Sequence, residues 1–275
     1  MEEAIVKAEI TLTSRELLFI SATIDAVELL GVSDAFFGME DTEIQHEITR
    51  LQFSLEEKGY AEMDFDGGFT LYNEVREMVD ICANCDIFIV VDKCKSKESQ
   101  IRELYYAKTG NIVKLQEEAG INILTPVPTS YSLLEHISHG IDLKPSSSPL
   151  LKNVRVANKT LSEAKAKAYN FDRAESIRLL MGSGCDELSA KTILCGLTEE
   201  SEYYSVVITV FGGEQEGIYS IMLSSSENGT YRLTPITGEE IDSVQFDVLD
   251  ASDVKMAIAD IIRSAFPPER GSLNG

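Results

Sequence analysis

Three cysteines lie close enough together in the sequence to suggest a metal site or a redox pair. Cys82 and Cys85 are three residues apart, and Cys94 follows nine residues later. A structural zinc site needs four ligands, usually with a second pair, and no histidine or further cysteine lies nearby. A redox pair needs a helix that begins at the first cysteine and lowers its pKa, whereas the apolar periodicity places Cys82 at the end of a helix. We therefore expect thiols with neither a metal nor a redox role.

Other motifs have the residue types of binding sites but lack part of the required set. His136 and His139 could share a metal on one helix face, but a third ligand is missing. Residues 64–68 resemble the start of a calcium loop, yet the fifth and twelfth positions supply no oxygen ligand. The glycines at 182–185 and 212–213 lack the lysine and the strand-to-helix context of a phosphate-binding loop. The sequence therefore predicts no catalytic, cofactor-binding or metal-binding residue, and we expect the protein not to be an enzyme.

A loop between two predicted helices carries three large apolar side chains, Phe36, Phe37 and Met39. Large apolar side chains in a loop are costly to leave in water, so such a cluster either fills the core or stays exposed to contact a partner. The sequence leaves both possibilities open. Phe36, Phe37 and Met39 are therefore the predicted partner-binding residues.

The chain is strongly acidic, with 46 Asp and Glu against 24 Lys and Arg and a formal net charge of −22. Nucleic-acid binding depends on basic residues that neutralise phosphates, and the predicted helix at 42–58 offers only Arg50 and Lys58 against four glutamates. We therefore expect no nucleic-acid partner. Residues 144–178 reverse the balance with eight basic and three acidic side chains. We expect this basic island to pair with the chain's own acidic surface, with an acidic ligand as the alternative.

No segment has the features of a secretory signal or of a membrane span. The N-terminus lacks both the basic start and the apolar run of a signal peptide. No stretch approaches the roughly 20 apolar residues that cross a bilayer. Five cysteines, an odd number at irregular spacing, are typical of reduced thiols in the cytosol. We therefore expect a cytoplasmic protein with no membrane partner.

Apolar periodicity divides the chain into helices and strands. The first half is predicted as a strand at 5–12, helices at 13–31 and 42–58, a hairpin at 60–72, a helix at 73–82, four strands between 86 and 124 and a helix at 131–138. The order helix, helix, hairpin between residues 15 and 72 is that of a winged-helix core. The second half is predicted as a helix at 161–181 that is broken or bent near Asn170, a helix at 186–195, four strands between 203 and 249 and a helix at 251–266.

Both halves place helices before a four-stranded antiparallel meander and close with a helix. This pattern predicts an internally duplicated α+β fold, with the two meanders joined into one central sheet flanked by two helical bundles. Two independent domains are the alternative. The linker is predicted at 144–151, where two prolines surround a serine run. The predicted domains are residues 1–143 and 152–266, followed by a flexible tail at 267–275.

Several of these features are shared with one known family. The opening strand leads into LLF at 17–19 and AVELLG at 26–31, a later helix ends in EEKGY at 56–60, and helix–meander–helix occurs twice. In these features the chain resembles the EspG family, the cytosolic substrate-binding chaperones of ESX (type VII) secretion systems. The resemblance implies a quasi-twofold α+β fold, no enzymatic activity and binding of a helical secretion substrate at a hydrophobic tip. The high acidity departs from the family and implies a distant branch with a different helical substrate.

The predicted function is therefore that of a cytosolic, non-enzymatic chaperone or adaptor that keeps a helical secreted protein soluble. The alternative is an immunity protein whose acidic surface neutralises a basic toxin through electrostatic steering. An apolar contact surface with weak salt dependence favours the chaperone, and an acidic surface with steep salt dependence favours the immunity protein. An enzyme of an unrecognised type would need a deep pocket lined with titratable groups.

Overall fold

A computed structural model describes residues 9–24, 26, 29–96, 99–139, 154–198, 202–212, 216–226, 229–236, 242–249 and 251–266. The predicted linker at 144–151 and the predicted tail at 267–275 lie outside these residues. The elements of the described part are β1 (Ile10–Thr13), α1 (Ser14–Thr23), α2 (Asp41–Glu57), β2 (Ala61–Met63), β3 (Phe69–Leu71), α3 (Asn73–Ala83), β4 (Ile87–Ser96), β5 (Ser99–Lys108), β6 (Asn111–Glu118), β7 (Ile121–Val127), α4 (Ser130–His139), β8 (Val154–Ala157), α5 (Asn158–Tyr169), α6 (Arg173–Gly182), α7 (Glu187–Leu197), β9 (Glu202–Val210), β10 (Gly217–Ser226), β11 (Gly229–Ile236), β12 (Ser243–Leu249) and α8 (Ala251–Ala265).

Ten of the strands form one sheet, in the order β1-β7-β6-β5-β4-β9-β10-β11-β12-β8, and β2 and β3 form a separate hairpin. The strand pairs whose register is described are antiparallel; Ile10 of β1 lies opposite Leu124 of β7, and Val156 of β8 lies opposite Val244 of β12. The predicted α+β fold, with antiparallel meanders joined into one sheet, is thereby confirmed.

Each half of the sequence contributes its elements in the same order. In the first half, β1 precedes α1, α2 and α3 and pairs with β7, the last strand of the meander. In the second half, β8 precedes α5, α6 and α7 and pairs with β12. Strand β8 was not predicted from the sequence, because four residues are too few to show an alternating pattern. The internal duplication stays a prediction, and this shared order supports it.

The first meander turns sharply between its strands. Thr109 and Gly110 join β5 to β6 with φ values of 47° and 84°, and Ala119 and Gly120 join β6 to β7 with φ values of 52° and 81°. Two-residue hairpins with positive φ at both positions match the right-handed twist of the flanking strands. These turns set the strand ends, and the four strands predicted between residues 86 and 124 are confirmed as β4 to β7.

Helix α1 begins where it was predicted and ends early. The Thr13 hydroxyl accepts a hydrogen bond from the Glu16 N–H at 3.2 Å, and the Glu16 carboxylate accepts one from the Thr13 N–H at 2.7 Å, which completes a capping box. The helix ends at Thr23, so the prediction that it continues to Gly31 is wrong. The hydroxyls of Ser21 and Thr23 bond main-chain carbonyls of the preceding turn, and such bonds compete with the regular helix.

The first compact unit comprises Met1–Val90, Glu103–Leu133 and Thr209–Gly217. Its core packs α1, α2 and α3 against the sheet. Buried members of this core include Leu17, Ile20, Leu55, Met78, Leu104, Tyr106 and Leu124. The Tyr106 hydroxyl donates to the Leu30 carbonyl at 2.5 Å, which fixes the chain shortly before the loop that carries the predicted partner-binding residues.

The second compact unit comprises Val91–Arg102, Leu134–Ile208 and Ile218–Gly275. Buried members of its core include Val156, Leu161, Leu180, Ile193, Leu194, Tyr231 and Phe246. The break predicted near Asn170 is confirmed, because α5 and α6 are separate helices. Within the described ranges, no helix is long and apolar enough to cross a bilayer. The division into residues 1–143 and 152–266 stays a prediction.

Candidate protein-binding site

Residues 36–39, here called the aromatic turn, reverse the chain between α1 and α2. The Met39 N–H donates to the Phe36 carbonyl at 3.1 Å, and Gly38 has a φ of 83°. A positive φ at the third residue is the requirement of a type II turn and explains the glycine. The chain therefore presents Phe37 at the corner of a defined turn.

The three predicted partner-binding residues lie in two different environments. Phe36 packs against the core of the first unit, and Met39 is half-buried. The Phe37 side chain is 88% exposed. The sequence left open whether this cluster fills the core or contacts a partner. Phe36 packs against the core, and Phe37 is available for contact with a partner. Partner binding by these residues stays a prediction.

Arg15 of α1 holds the segment that leads into the aromatic turn. Its Nε donates to the Ala35 carbonyl at 3.3 Å, and its Nη1 donates to Glu47 Oε1 of α2 at 2.9 Å. On the same segment, Asp34 Oδ1 accepts a hydrogen bond from the Phe36 N–H at 2.8 Å. The approach to the aromatic turn is thus tied to both neighbouring helices.

A buried ion pair fixes α1 against α2. Glu16 is 1% exposed, and its carboxylate accepts hydrogen bonds from Lys58 Nζ at 2.6 Å and from Ser54 Oγ at 2.7 Å. Burial acts to raise the pKa of Glu16, but the hydrogen bonds from Lys58, Ser54 and the main chain of Thr13 outweigh it and hold the pKa below its usual value. The carboxylate is therefore charged at neutral pH and braces the two helices that position the aromatic turn.

Acidic side chains flank the aromatic turn along the chain. Asp34, Glu40, Asp41 and Glu43 are all exposed. Glu43 accepts a hydrogen bond from the Glu40 N–H at 3.0 Å, as part of the cap of α2. The arrangement is an exposed aromatic ring with acidic neighbours, which suits an apolar contact bordered by basic residues of a partner.

The cysteine pair lies where the sequence predicts it, at the end of α3. Cys82 is in the last turn of the helix and is buried, and Cys85 follows the helix. Burial raises the pKa of Cys82 well above its usual value and raises the pKa of Cys85 to about 11. Thiols in this state are weak nucleophiles at neutral pH. Cys94 lies on β4 and is half-buried, and within the described part of the chain no three His, Cys, Asp or Glu residues are grouped as a metal site.

Two further candidate motifs are surface features. His136 and His139 are both exposed on α4. Residues 64–68 form the turn between β2 and β3, in which the Asp64 N–H donates to the Gly68 carbonyl at 2.8 Å. The predicted hairpin turn is therefore confirmed. It leaves Phe65 fully exposed at its tip.

A further exposed aromatic residue was not recognised in the sequence. Residues 170–172, here called the α5–α6 turn, include Phe171, whose side chain is 97% exposed and whose φ is 61°. The sequence indicated only a break near Asn170. A bulky residue with positive φ is uncommon, and no pattern of neighbouring residues marks the position in advance.

The α5–α6 turn lies within the basic island. Arg178 pairs with Glu175 at 2.7 Å, but the part of the chain that is described contains no ion pair for Lys165 or Lys167. The expected pairing with the chain's own acidic surface is therefore not found for these two lysines.

The fold is similar to that of a type VII secretion chaperone. Over 94% of its length, the chain matches 97% of a chain in the structure of the Mycobacterium tuberculosis type VII secretion system chaperone EspG5 in complex with the PE25-PPE41 dimer. The TM-score is 0.65 and the sequence identity is 12%. No protein-family model matches the sequence, and no curated protein matches it. The distant resemblance to the EspG family is confirmed at the level of the fold.

Proposed function

We propose that this protein is a cytosolic, non-enzymatic chaperone or adaptor that binds a helical substrate of type VII secretion and keeps it soluble. The observation that carries the proposal is the match of nearly the whole chain to EspG5, which is in complex with the PE25-PPE41 dimer in that structure. A protein with this role acts by covering an apolar surface of its substrate, so it needs a contact surface and no catalytic groups.

The aromatic turn supplies a contact of the required kind. Phe37 offers a large apolar ring, and aromatic residues of this type dominate the binding energy of many interfaces. Phe36 is held by the core of the first unit, and Arg15 and Asp34 hold the main chain on the approach to the turn. Binding therefore requires little additional ordering of the turn. We propose that Phe37 inserts into the substrate, and that the half-buried side chains of Phe36 and Met39 complete the contact while Phe36 also anchors the turn to the core.

An immunity protein that neutralises a basic toxin is the second candidate. The observation in its favour is the acidic surroundings of the aromatic turn, where Asp34, Glu40, Asp41 and Glu43 are exposed. An interface dominated by these carboxylates would be screened by salt, whereas one dominated by Phe37 would not. Salt dependence therefore separates the two functions.

Affinity purification of the tagged protein from its own organism, at low and at high salt, tests the proposal. We expect a helical secreted protein that remains bound at both salt concentrations. With that partner purified, Phe37→Ala is expected to weaken binding by about tenfold or more, because it removes the aromatic anchor. Phe65→Ala is the matched control, because Phe65 is also highly exposed, on a different turn of the same unit.

One outcome would contradict the chaperone function, and a second would contradict only the role of the aromatic turn. A basic toxin that is released at high salt would establish the immunity function instead. A helical partner that binds Phe37→Ala and wild type equally well would leave the chaperone function in place and remove the aromatic turn from it.

A further inference from the structure

Strand β1 is an edge strand of the ten-stranded sheet and is four residues long. Thr11 lies opposite Ile123 of β7, and in an antiparallel pair the main-chain groups of alternate residues point towards and away from the partner strand. Those of Thr11 point away from β7, because its N–H and its C=O both bond side chains outside the sheet. Outward groups of this kind on an edge strand are a template on which another extended chain can pair.

Three side chains occupy these outward main-chain groups. The Thr11 N–H donates to the Tyr60 hydroxyl at 3.1 Å, and the Thr11 carbonyl accepts a hydrogen bond from Lys58 Nζ at 3.4 Å. The Thr13 N–H, two residues along the same edge, donates to the Glu16 carboxylate at 2.7 Å. A strand that adds to this edge has to displace them, because an antiparallel pair exchanges an N–H and a C=O at each hydrogen-bonded position.

The Tyr60 hydroxyl is held in a fixed position beside β1. Helix α2 ends in a Schellman motif, in which the Gly59 N–H donates to the Glu56 carbonyl and the Tyr60 N–H donates to the Leu55 carbonyl, both at 2.9 Å. The Tyr60 carbonyl accepts the Tyr72 N–H at 3.0 Å, and the Tyr60 side chain packs against the core of the first unit. Its main chain and its ring are therefore both anchored.

Lys58 is the weaker of the two contacts with Thr11. Its Nζ lies 2.6 Å from Glu16 Oε2, compared with 3.4 Å from the Thr11 carbonyl, and its side chain is 31% exposed. A flexible four-carbon side chain at the surface can leave the longer contact while it keeps the shorter one. The Tyr60 hydroxyl therefore decides whether the edge is open.

We propose that the Tyr60 hydroxyl, together with Lys58, closes the β1 edge against strand addition by a second copy of the chain. A second copy presents the same edge, so two β1 strands related by a two-fold axis would pair antiparallel and form each new hydrogen bond twice. The closure keeps the sheet of one molecule from joining the sheet of another through β1. The proposal is independent of the aromatic turn and of the chaperone function.

Hydrogen exchange of the Thr11 amide in the full chain tests the bond that closes the edge. Tyr60→Phe removes the hydroxyl and keeps the ring, so the packing of the first unit is retained. We expect the Thr11 amide to exchange about fivefold faster in this variant than in wild type, because one hydrogen bond of ordinary strength is lost. Tyr72→Phe is the matched control, because the Tyr72 side chain is 46% exposed and its hydroxyl makes no hydrogen bond within the described residues.

Size-exclusion chromatography with light scattering tests the closure itself. We expect Tyr60→Phe to self-associate about 25-fold more strongly than wild type, because two-fold pairing uses the freed Thr11 N–H of both copies and each bond contributes about fivefold. In the double variant Tyr60→Phe, Thr11→Pro the association should return to the wild-type level. Proline lacks the N–H donor and is tolerated on an edge strand where that N–H faces outwards.

Three results would overturn the proposal. The first is a Thr11 amide that exchanges equally fast in wild type and in Tyr60→Phe. The second is a Tyr60→Phe variant that self-associates no more strongly than Tyr72→Phe. The third is self-association of Tyr60→Phe that Thr11→Pro leaves unchanged, which would place the new contact away from β1.

Discussion

The aromatic turn and the α5–α6 turn each expose one phenylalanine beside a positive φ, but they place that phenylalanine differently. In the aromatic turn Gly38 adopts the positive φ, and Phe37 precedes it in an ordinary turn position. In the α5–α6 turn Phe171 itself adopts the positive φ. The first arrangement exposes a ring without backbone strain, and the second exposes a ring at the expense of stability. The exposure of Phe37 needs no special explanation from the backbone. The exposure of Phe171 comes together with backbone strain and is therefore the more unusual of the two.

The largest expected effect tests the bracing behind the aromatic turn. Glu16→Gln removes the charge that pairs with Lys58 and leaves a buried polar group with weaker partners. We expect a loss of about 3 kcal/mol in the free energy of unfolding, at the lower end for buried pairs because Lys58 is partly exposed. Urea denaturation measures the loss, with the exposed Glu57→Gln as control. An effect equal to that of the control would show that the ion pair does not brace the unit.

The same carboxylate predicts a dependence of stability on pH. Because the pKa of Glu16 is lower in the folded state than its usual value of 4.5, its contribution is fully present above that value. The contribution is lost as the pH falls below 4.5 and through the lowered folded pKa. Urea denaturation between neutral pH and acid should therefore show a steeper fall for wild type than for Glu16→Gln. Parallel curves would contradict a lowered pKa.

Substitution of Gly31, a closely packed glycine with positive φ, is expected to cost less unfolding free energy than Glu16→Gln. Gly31 has a φ of 77°, and a Cβ at this position would lie 2.8 Å from Leu104 Cδ1 and 3.2 Å from Phe88 Cζ. We expect Gly31→Ala to cost about 2 kcal/mol of unfolding free energy, from backbone strain and overpacking together. Gly38→Ala is the matched control, because its φ is 83° and nothing lies within 4 Å. Equal losses in the two variants would show that packing around Gly31 adapts.

Opposite changes at the two turns sharpen the comparison between them. Phe171→Gly should raise the free energy of unfolding by about 1 kcal/mol, because glycine adopts a positive φ freely. Gly38→Ala should lower it by about the same amount, because the strain is created where none existed. Urea denaturation of both variants gives the two values. A destabilised Phe171→Gly would mean that the Phe171 ring is packed in solution and that its left-handed conformation is not a net cost to the fold.

The smallest expected effect concerns the hold of Arg15 on the aromatic turn, and it rests on the proposed function. Arg15→Ala removes the hydrogen bonds to the Ala35 carbonyl and to Glu47. Partly exposed pairs of this kind contribute less than about 1 kcal/mol, so we expect a loss of about threefold in substrate affinity with little change in stability. Arg15→Lys keeps the charge but cannot make both contacts. If Arg15→Lys binds the substrate like wild type, the loss of affinity in Arg15→Ala is caused by the lost charge and not by the lost positioning of the turn.

Much of the fold follows from local signals in the sequence. The capping box at Thr13 set the start of α1, and the Thr109-Gly110 and Ala119-Gly120 turns separated three strands of the first meander. The predicted end of α1 was wrong because the hydroxyl groups of Ser21 and Thr23 compete with the helix for main-chain carbonyls. The apolar periodicity continues past this point and hides that weaker signal. The pairing of β8 with β12 is a long-range contact, which periodicity does not report.

The candidate site was predicted only in part, for a different physical reason. The cluster of Phe36, Phe37 and Met39 was visible because apolar residues in a loop are unusual. Which of them is buried depends on the position of Gly38 in the turn and on packing against the first core. Phe171 gave no signal, because its unusual feature is a strained backbone conformation, and a single aromatic residue in the sequence does not indicate one.

The pairing of β1 with β7 has a consequence for the synthesis of the chain. Ile10 pairs with Leu124, so at about 5–20 residues per second β1 waits roughly 10 s for its partner to be made. The first unit also includes Thr209–Gly217 and is incomplete for longer still. During this time the nascent chain exposes unpaired strand edges that can pair wrongly. A protein proposed to keep another chain soluble is therefore itself vulnerable to aggregation until most of its length has left the ribosome.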